Sequence, residues 1–210
     1  EHYNLIPNGI KPKKAPEPVP KVYYQKLAVD RPLEQIHFWL GMESIPRSHP
    51  DRYILSVLGV ILGGGMSSRL FQEIRENLGL VYTIHSFGIS FHDTGYYAIG
   101  GATGPKKLNK VIQLVKSELK KMTQELVTEE ELNNAKEQMK GGMVLALEST
   151  SSRMTRLADL EIHFGKYISL DEVIKRIDTV TREDIIRLAT QLFSDNKLTM
   201  IAIGPTNKTD

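Results

Sequence analysis

Arg75 and Tyr82 stand seven residues apart in the stretch 63–82, GGGMSSRLFQEIRENLGLVY. A guanidinium offers a planar fork of donors and a phenol offers one hydroxyl. Three consecutive glycines, Gly63, Gly64 and Gly65, carry no side chain to pack, so the backbone there turns sharply or approaches something closely. Ser67 and Ser68 then offer capping hydroxyls, and Leu70, Phe71, Ile74 and Leu78 recur at helical spacing. Gly79 reads as the stop of that helix, and from Leu80 the pattern turns β-like. The chain reverses at Gly79, which predicts that both polar donors project from one rim of the domain. The plainer reading pairs Arg75 with Glu73 or Glu76 and packs Tyr82 at a sheet rim. The residues taken alone favour the plainer reading.

Other chemistries find less support. The histidines are His2, His37, His49, His85, His92 and His163. None forms the His-x-x-Glu-His or His-Glu-x-x-His spacing that sets two imidazoles on one helix face beside a general base. His37 and His85 fall in strand patterns, as partnered or exposed side chains. The run Glu129, Glu130, Glu131 suits the first turn of a helix, where a capping box and the macrodipole favour carboxylates. No metal site is expected in this chain. A phosphate loop of the Walker type would follow a strand and carry a lysine, whereas these glycines follow a helical pattern and end on Arg69. A small nucleotide-binding domain is therefore the weaker, unrelated reading. Neither Ser67 nor Ser68 sits in Gly-x-Ser-x-Gly, and capping accounts for both.

Stepping outward, the stretches 22–29 and 34–42 alternate like strands, split by the turn signal Asp30, Arg31, Pro32. In the second, Ile36, Phe38, Leu40 and Met42 share one face, opposite Gln35, His37 and Trp39. Ser48 is a candidate cap for a helix with Pro50 in its first turn. That helix is apolar nearly all round (Tyr53, Ile54, Val57, Leu58, Ile61, Leu62), hence central, and feeds into the glycines. Stretches 81–91 and 95–103 form a hairpin across His92, Asp93 and Thr94. A helix follows Pro105, with Leu108, Val111, Ile112, Val115, Leu119 and Met122 as its stripe. Capping-box patterns at Thr128, Ser169 and Thr181 open three more helices, and another spans about 151–164. The first of these carries Leu132, Ala135, Met139, Met143 and Ala146, with Gly141 and Gly142 as points where it loosens or kinks. An apolar strand over 197–204 closes the order. Strands paired by hairpins predict an α+β domain, a mostly antiparallel sheet with helices packed on one face.

The 210 residues are 40% hydrophobic, enough for one good-sized core or two small ones. Basic and acidic residues number 27 and 25, which gives no dense basic stripe for nucleic acid. Without cysteine there are no disulfides, which fits a reducing compartment, and a cytoplasmic location is expected. No apolar run reaches the roughly 18 residues of a membrane helix. Residues 1–21 hold five of the ten prolines with Lys11, Lys13 and Lys14 between them, the composition of an extended linker. The expected organisation is a linker over 1–21 and one folded domain over 22–210.

The motif at 63–82, the hairpin after it, the segment LESTSSRM at 147–154 and the order of helices resemble the C-terminal half of the inverzincin zinc peptidases. This is the family of pitrilysin, insulinase and the mitochondrial processing peptidase, and the resemblance runs over about 22–204. It implies two similar domains closing around a peptide like a clamshell. The N-terminal-type domain would hold zinc. The C-terminal-type domain lacks that ligand set and supplies an arginine and a tyrosine, here matched by Arg75 and Tyr82, to the cleft. The chain is then expected to be the substrate-clamping, non-zinc half of a metallopeptidase, inactive alone. Its partners would be a zinc-bearing domain, in the same polypeptide or a second subunit, and a peptide substrate. A second copy of the chain, in a homo-oligomer, is the further partner considered. The alternative within the family is a non-catalytic scaffold or assembly subunit.

Overall fold

In the computed structural model, residues 23–193 and 198–208 are described, so the expected linker over 1–21 lies outside them. The strands are β1 (Lys26–Asp30), β2 (Ile36–Ser44), β3 (Val81–Ser90), β4 (Gly95–Thr103) and β5 (Thr199–Gly204). The helices are α1 (Arg52–Gly63), a π-helix (Phe71–Asn77), α2 (Leu108–Gln124), α3 (Glu129–Ala146), α4 (Thr150–Phe164), α5 (Leu170–Asp178) and α6 (Arg182–Leu192). They form an α+β domain on one five-stranded sheet of order β1-β5-β2-β4-β3. Only β1 and β5 run parallel; the remaining pairs are antiparallel.

The alternation in β2 sets the layers. Ile36, Phe38, Leu40 and Met42 are buried under the helices, while His37 and Trp39 point to the opposite face. On the helical side α1 packs over β3, and α6 over α1, α2 and β2. Every residue of the expected α2 stripe is buried. The opposite face carries Trp39, His85, Phe87 and Tyr96, whose rings meet at 5.3 to 6.3 Å. Ile201 and Ile203 of β5 are exposed on the same face. No helix among the described residues is long and apolar enough to cross a membrane.

Several local expectations change. β1 and β2 are not a hairpin: β5 lies between them, in register Lys26↔Met200 on one side and His37↔Ile203 on the other. The link from Asp30 to Ile36 passes round the end of β5, where the Arg31 amide donates to the Gly204 carbonyl at 2.8 Å. Crossing two strand spacings needs only about 10 Å, within reach of a short connection. Ser48 does not cap α1, which begins at Arg52 after a turn in which the His49 amide bonds the Pro46 carbonyl. Asp51 holds the cap position, but its carboxylate is taken by a two-pronged bond from Arg187 at 2.8 and 3.0 Å. α3 runs unbroken through Gly141 and Gly142, and its buried stripe weakens at Met139 and Met143 and ends before the exposed Ala146. The Thr128 and Thr181 capping boxes are complete, while Ser169 caps through its own hydroxyl.

Candidate functional site

The triple glycine ends α1 against three different neighbours. A Cβ on Gly63 would stand 2.5 Å from the Ser86 hydroxyl and 2.8 Å from its amide nitrogen. On Gly64 it would stand 2.6 Å from the Val60 Cα, and on Gly65 3.0 Å from the Gln138 amide. Close approach to protein, rather than to a phosphate, is what these glycines permit. Behind Gly63 the Ser86 hydroxyl bonds the buried Tyr97 hydroxyl at 2.6 Å, and burial pushes that phenol well above its ordinary value. The corner is then roped to α3. Gln138 donates to the Gly64 carbonyl at 3.4 Å, and Arg69 forks onto Glu131 at 2.6 and 2.9 Å. Glu131 is also the carboxylate of the α3 capping box, accepting from the Thr128 amide at 2.8 Å. The Arg69 guanidinium holds its carboxyl below the usual glutamate range.

Ser68 departs from the expected cap. It is buried, and its hydroxyl donates to the Gly65 carbonyl at 2.6 Å, closing the turn. The helix beyond is wider than the apolar spacing predicts: Phe71–Asn77 form a π-helix, so the buried stripe is Leu70 and Ile74, and Leu78 swings out to solvent. Such widened turns are rare and are frequently found at functional sites. Gly79 ends it as expected, with φ +57°. Its amide donates to the Arg75 carbonyl at 3.1 Å and the Leu80 amide to the Ile74 carbonyl at 3.0 Å.

That reversal brings Arg75 and Tyr82 together. The Arg75 guanidinium carbon lies 4.6 Å from the Phe71 ring centre and 6.0 Å from that of Tyr82. Tyr82 is 74% exposed and the Arg75 side chain 40%. The nearest carboxylate oxygen paired with Arg75 is that of Glu76, at 4.0 Å, while Glu73 accepts from Asn77 instead. The guanidinium is therefore held by ring faces, and its fork stays largely free for an incoming oxygen. The Phe71 platform escaped sequence reasoning, although its position four residues before Arg75 was a usable signal. Arg69–Glu131 escaped it as well, and no local pattern announces a bond across that separation. Among the described residues no three of His, Asp and Glu converge where they would hold a metal ion.

The chain is similar to several known proteins. Residues 1–139 match the model described as the peptidase M16 inactive domain. It is 40% identical over 177 residues to the uncharacterized zinc protease YmxG of Bacillus subtilis, covering 84% of this chain and 43% of that one. It is 37% identical over 180 residues to an uncharacterized zinc protease of Rickettsia felis, covering 85% and 43%. The chain thus spans less than half the length of the relatives it matches. The fold superimposes on the M16 inactive domain from Pseudomonas fluorescens with a TM-score of 0.80 at 23% identity, covering 87% of this chain and 44% of that one. A chain of complex III2 from Candida albicans gives 0.83 at 18% identity, covering 97% and 50%. With two thirds of its length, the glycine corner included, matched by one family model, this chain belongs to the peptidase M16 inactive-domain family.

Proposed function

We propose that this chain is the substrate-clamping, non-zinc half of a zinc metallopeptidase, and that Arg75 and Tyr82 are the donors it presents to the peptide. The observation that carries the reading is the convergence on one rim of an exposed phenol and a guanidinium whose paired carboxylate, that of Glu76, stands off at 4.0 Å. Negative charge grows on the scissile carbonyl oxygen as a peptide bond is attacked. A guanidinium and a phenol aimed at that oxygen, or at the substrate backbone beside it, bind it more tightly as the charge grows. Both lie in a stretch whose backbone is fixed at each end, by the glycine corner and by Gly79, so little ordering is left for the moment of reaction.

The relatives' names and the part of their length this chain leaves unmatched support a partner half that carries the zinc, in the same polypeptide or as a second subunit. The described residues offer no ligand set for that ion, so the share of the chemistry they take is to bind, orient and neutralise. The test is peptide cleavage by the assembled two-half enzyme carrying Tyr82→Phe or Arg75→Lys. Each is expected to lower turnover roughly a hundred- to thousand-fold, as removal of one such donor does. A point ammonium does not reproduce the planar fork, so the lysine fails too. Full turnover in both variants would leave the scaffold reading standing and return the pair to surface packing.

A further inference from the structure

We propose that the free edge of β3 is a docking strand for an extended peptide, which lies in the groove between β3 and α1 and directs a carboxylate at Arg52. The proposal rests on the peptide-clamping reading above and names a second, separate subsite for it.

β3 is the outermost strand beside β4 and has no strand partner on its other edge among the described residues. An unpaired strand edge is a row of backbone donors and acceptors that another chain can complete. Proteins ordinarily blunt such edges with lysine, proline or a covering loop. β3, sequence VYTIHSFGIS, carries neither lysine nor proline, and its register shift, between Val81 and Thr83, lies ahead of the groove rather than beside it. Beside its second half, from Ser86 to Ser90, lies a cavity of about 590 Å³ whose opposite wall is α1. Gly59, Gly64 and Gly88 line it without side chains, and Leu55 and Val60 supply apolar surface. The glycine corner thus clears space along the strand as well as turning the chain.

One end of the groove is charged. Arg47 lines it but is committed to Asp159 at 2.8 Å. Arg52 is not: its guanidinium lies 4.4 Å from the Tyr53 ring centre and 5.0 Å from that of Phe164, and among the described residues it donates only to the Tyr53 hydroxyl at 2.9 Å and pairs with no carboxylate. A cation held on ring faces and lacking a carboxylate calls for an anionic group from outside. The other end of β3 is Tyr82. From Tyr82 to Ser86 an extended chain covers about 14 Å, so a strand added to β3 would run from the Arg75–Tyr82 rim into the groove. The occupant is therefore an extended polypeptide with an acidic group at the Arg52 end.

The experiment uses this chain and fluorescent peptides about as long as β3, rich in Thr and Val, bearing Asp or Asn at one end. Binding is read by anisotropy. Strand addition uses the amides of alternate guest residues, so N-methylation of one alternate set should weaken binding more than about tenfold and of the other less than about twofold. Arg52→Gln should cost the Asp peptide about tenfold and bring it level with the Asn peptide, and Arg52→Lys should restore most of the loss. Two methylated sets that bind equally overturn the proposal. So does a parent peptide that fails to bind while the chain sediments as a dimer, which assigns the β3 edge to a second copy. Because the readout is binding without turnover, normal turnover in Tyr82→Phe with the alternation retained removes the donor pair and leaves the groove. Equal response to both methylated sets, with turnover lost in Tyr82→Phe, does the reverse.

Discussion

Arg69 and Arg75 lie within one short stretch, yet they occupy opposite physical regimes. Arg69 stands at the root of the corner, 17% exposed, with both prongs on Glu131. Arg75 stands at its tip, 40% exposed, stacked on Phe71 and facing Tyr82, with no carboxylate nearer than 4.0 Å. The first is satisfied within the protein, and the second keeps its donors for something else. Sequence position and residue type do not separate them; partners do.

The widest separation is expected from Arg75→Ala against Arg69→Ala in the assembled enzyme. Arg75→Ala should lower kcat/KM roughly a hundred- to thousand-fold, about 3 to 4 kcal/mol in activation free energy. Its unfolding free energy should move by less than about 1 kcal/mol, since exposed charges contribute little to folding. Arg69→Ala should reverse the pattern. It leaves Glu131 short of its partner and should cost about 2 kcal/mol of stability, while the turnover of the folded fraction is retained. Denaturant melts beside steady-state cleavage decide it, and equal behaviour of the two variants would dissolve the distinction.

A smaller effect should come from Gly79→Ala. Nothing lies within 4 Å of the added Cβ, so the cost is that of φ +57° for a residue with a side chain, about 1 to 2 kcal/mol. If Gly79 aims the pair, turnover falls further than the melt accounts for; if it only ends a helix, the two fall together.

The smallest is a pH effect. Arg69 holds the folded Glu131 carboxyl below its ordinary value of 4.5, and Arg187 does the same for Asp51 from 3.8. As pH falls the unfolded chain takes up these protons first. The stabilisation is therefore complete above the ordinary values and drains away as pH drops through the depressed ones. Thermal melts between about pH 5 and 3 should show a shallower acid decline in Arg69→Met than in the parent, by a few degrees at most. Arg75→Met, whose partner distance is 4.0 Å, should follow the parent curve.

The sequence revealed what is local. The alternation of Ile36, Phe38, Leu40 and Met42 announced the buried face of β2, the pattern from Leu108 to Met122 announced α2, and the boxes at Thr128 and Thr181 gave true helix starts. The M16 membership was legible in the glycines, serines, arginine and tyrosine of 63–82. What stayed hidden depends on distant partners. The turn signal at Asp30–Pro32 cannot show that a strand near residue 200 lies between β1 and β2. Ser48 looked like a cap, but the turn from Pro46 to His49 delays the start of α1 to Arg52, and the Asp51 carboxylate at its cap is taken by Arg187, remote in sequence. The π-helix preserves enough of the 3.6 spacing to pass for an α-helix, and only its packing reveals that Leu78 has left the stripe. Arg75 and Tyr82 were paired by motif, but the ring that seats the guanidinium emerged only from the fold.

β5 gives the molecule a particular schedule of assembly. Of the five strands described it is the last to be made, yet it sits inside the sheet, hydrogen-bonded to β1 on one side and β2 on the other. During synthesis β2, β4 and β3 can pair as soon as Thr103 has emerged, because their contacts are local and antiparallel. β1 must wait, holding five residues of unmet backbone, until the chain near Thr199 leaves the ribosome and slides in beside it. Through that interval β2 is itself a bare edge with Trp39 beside it, the kind of surface chaperones hold and neighbouring nascent chains exploit. A transcript cut short before residue 199 would thus lose two strands from the sheet, not one, and would leave that edge exposed for good.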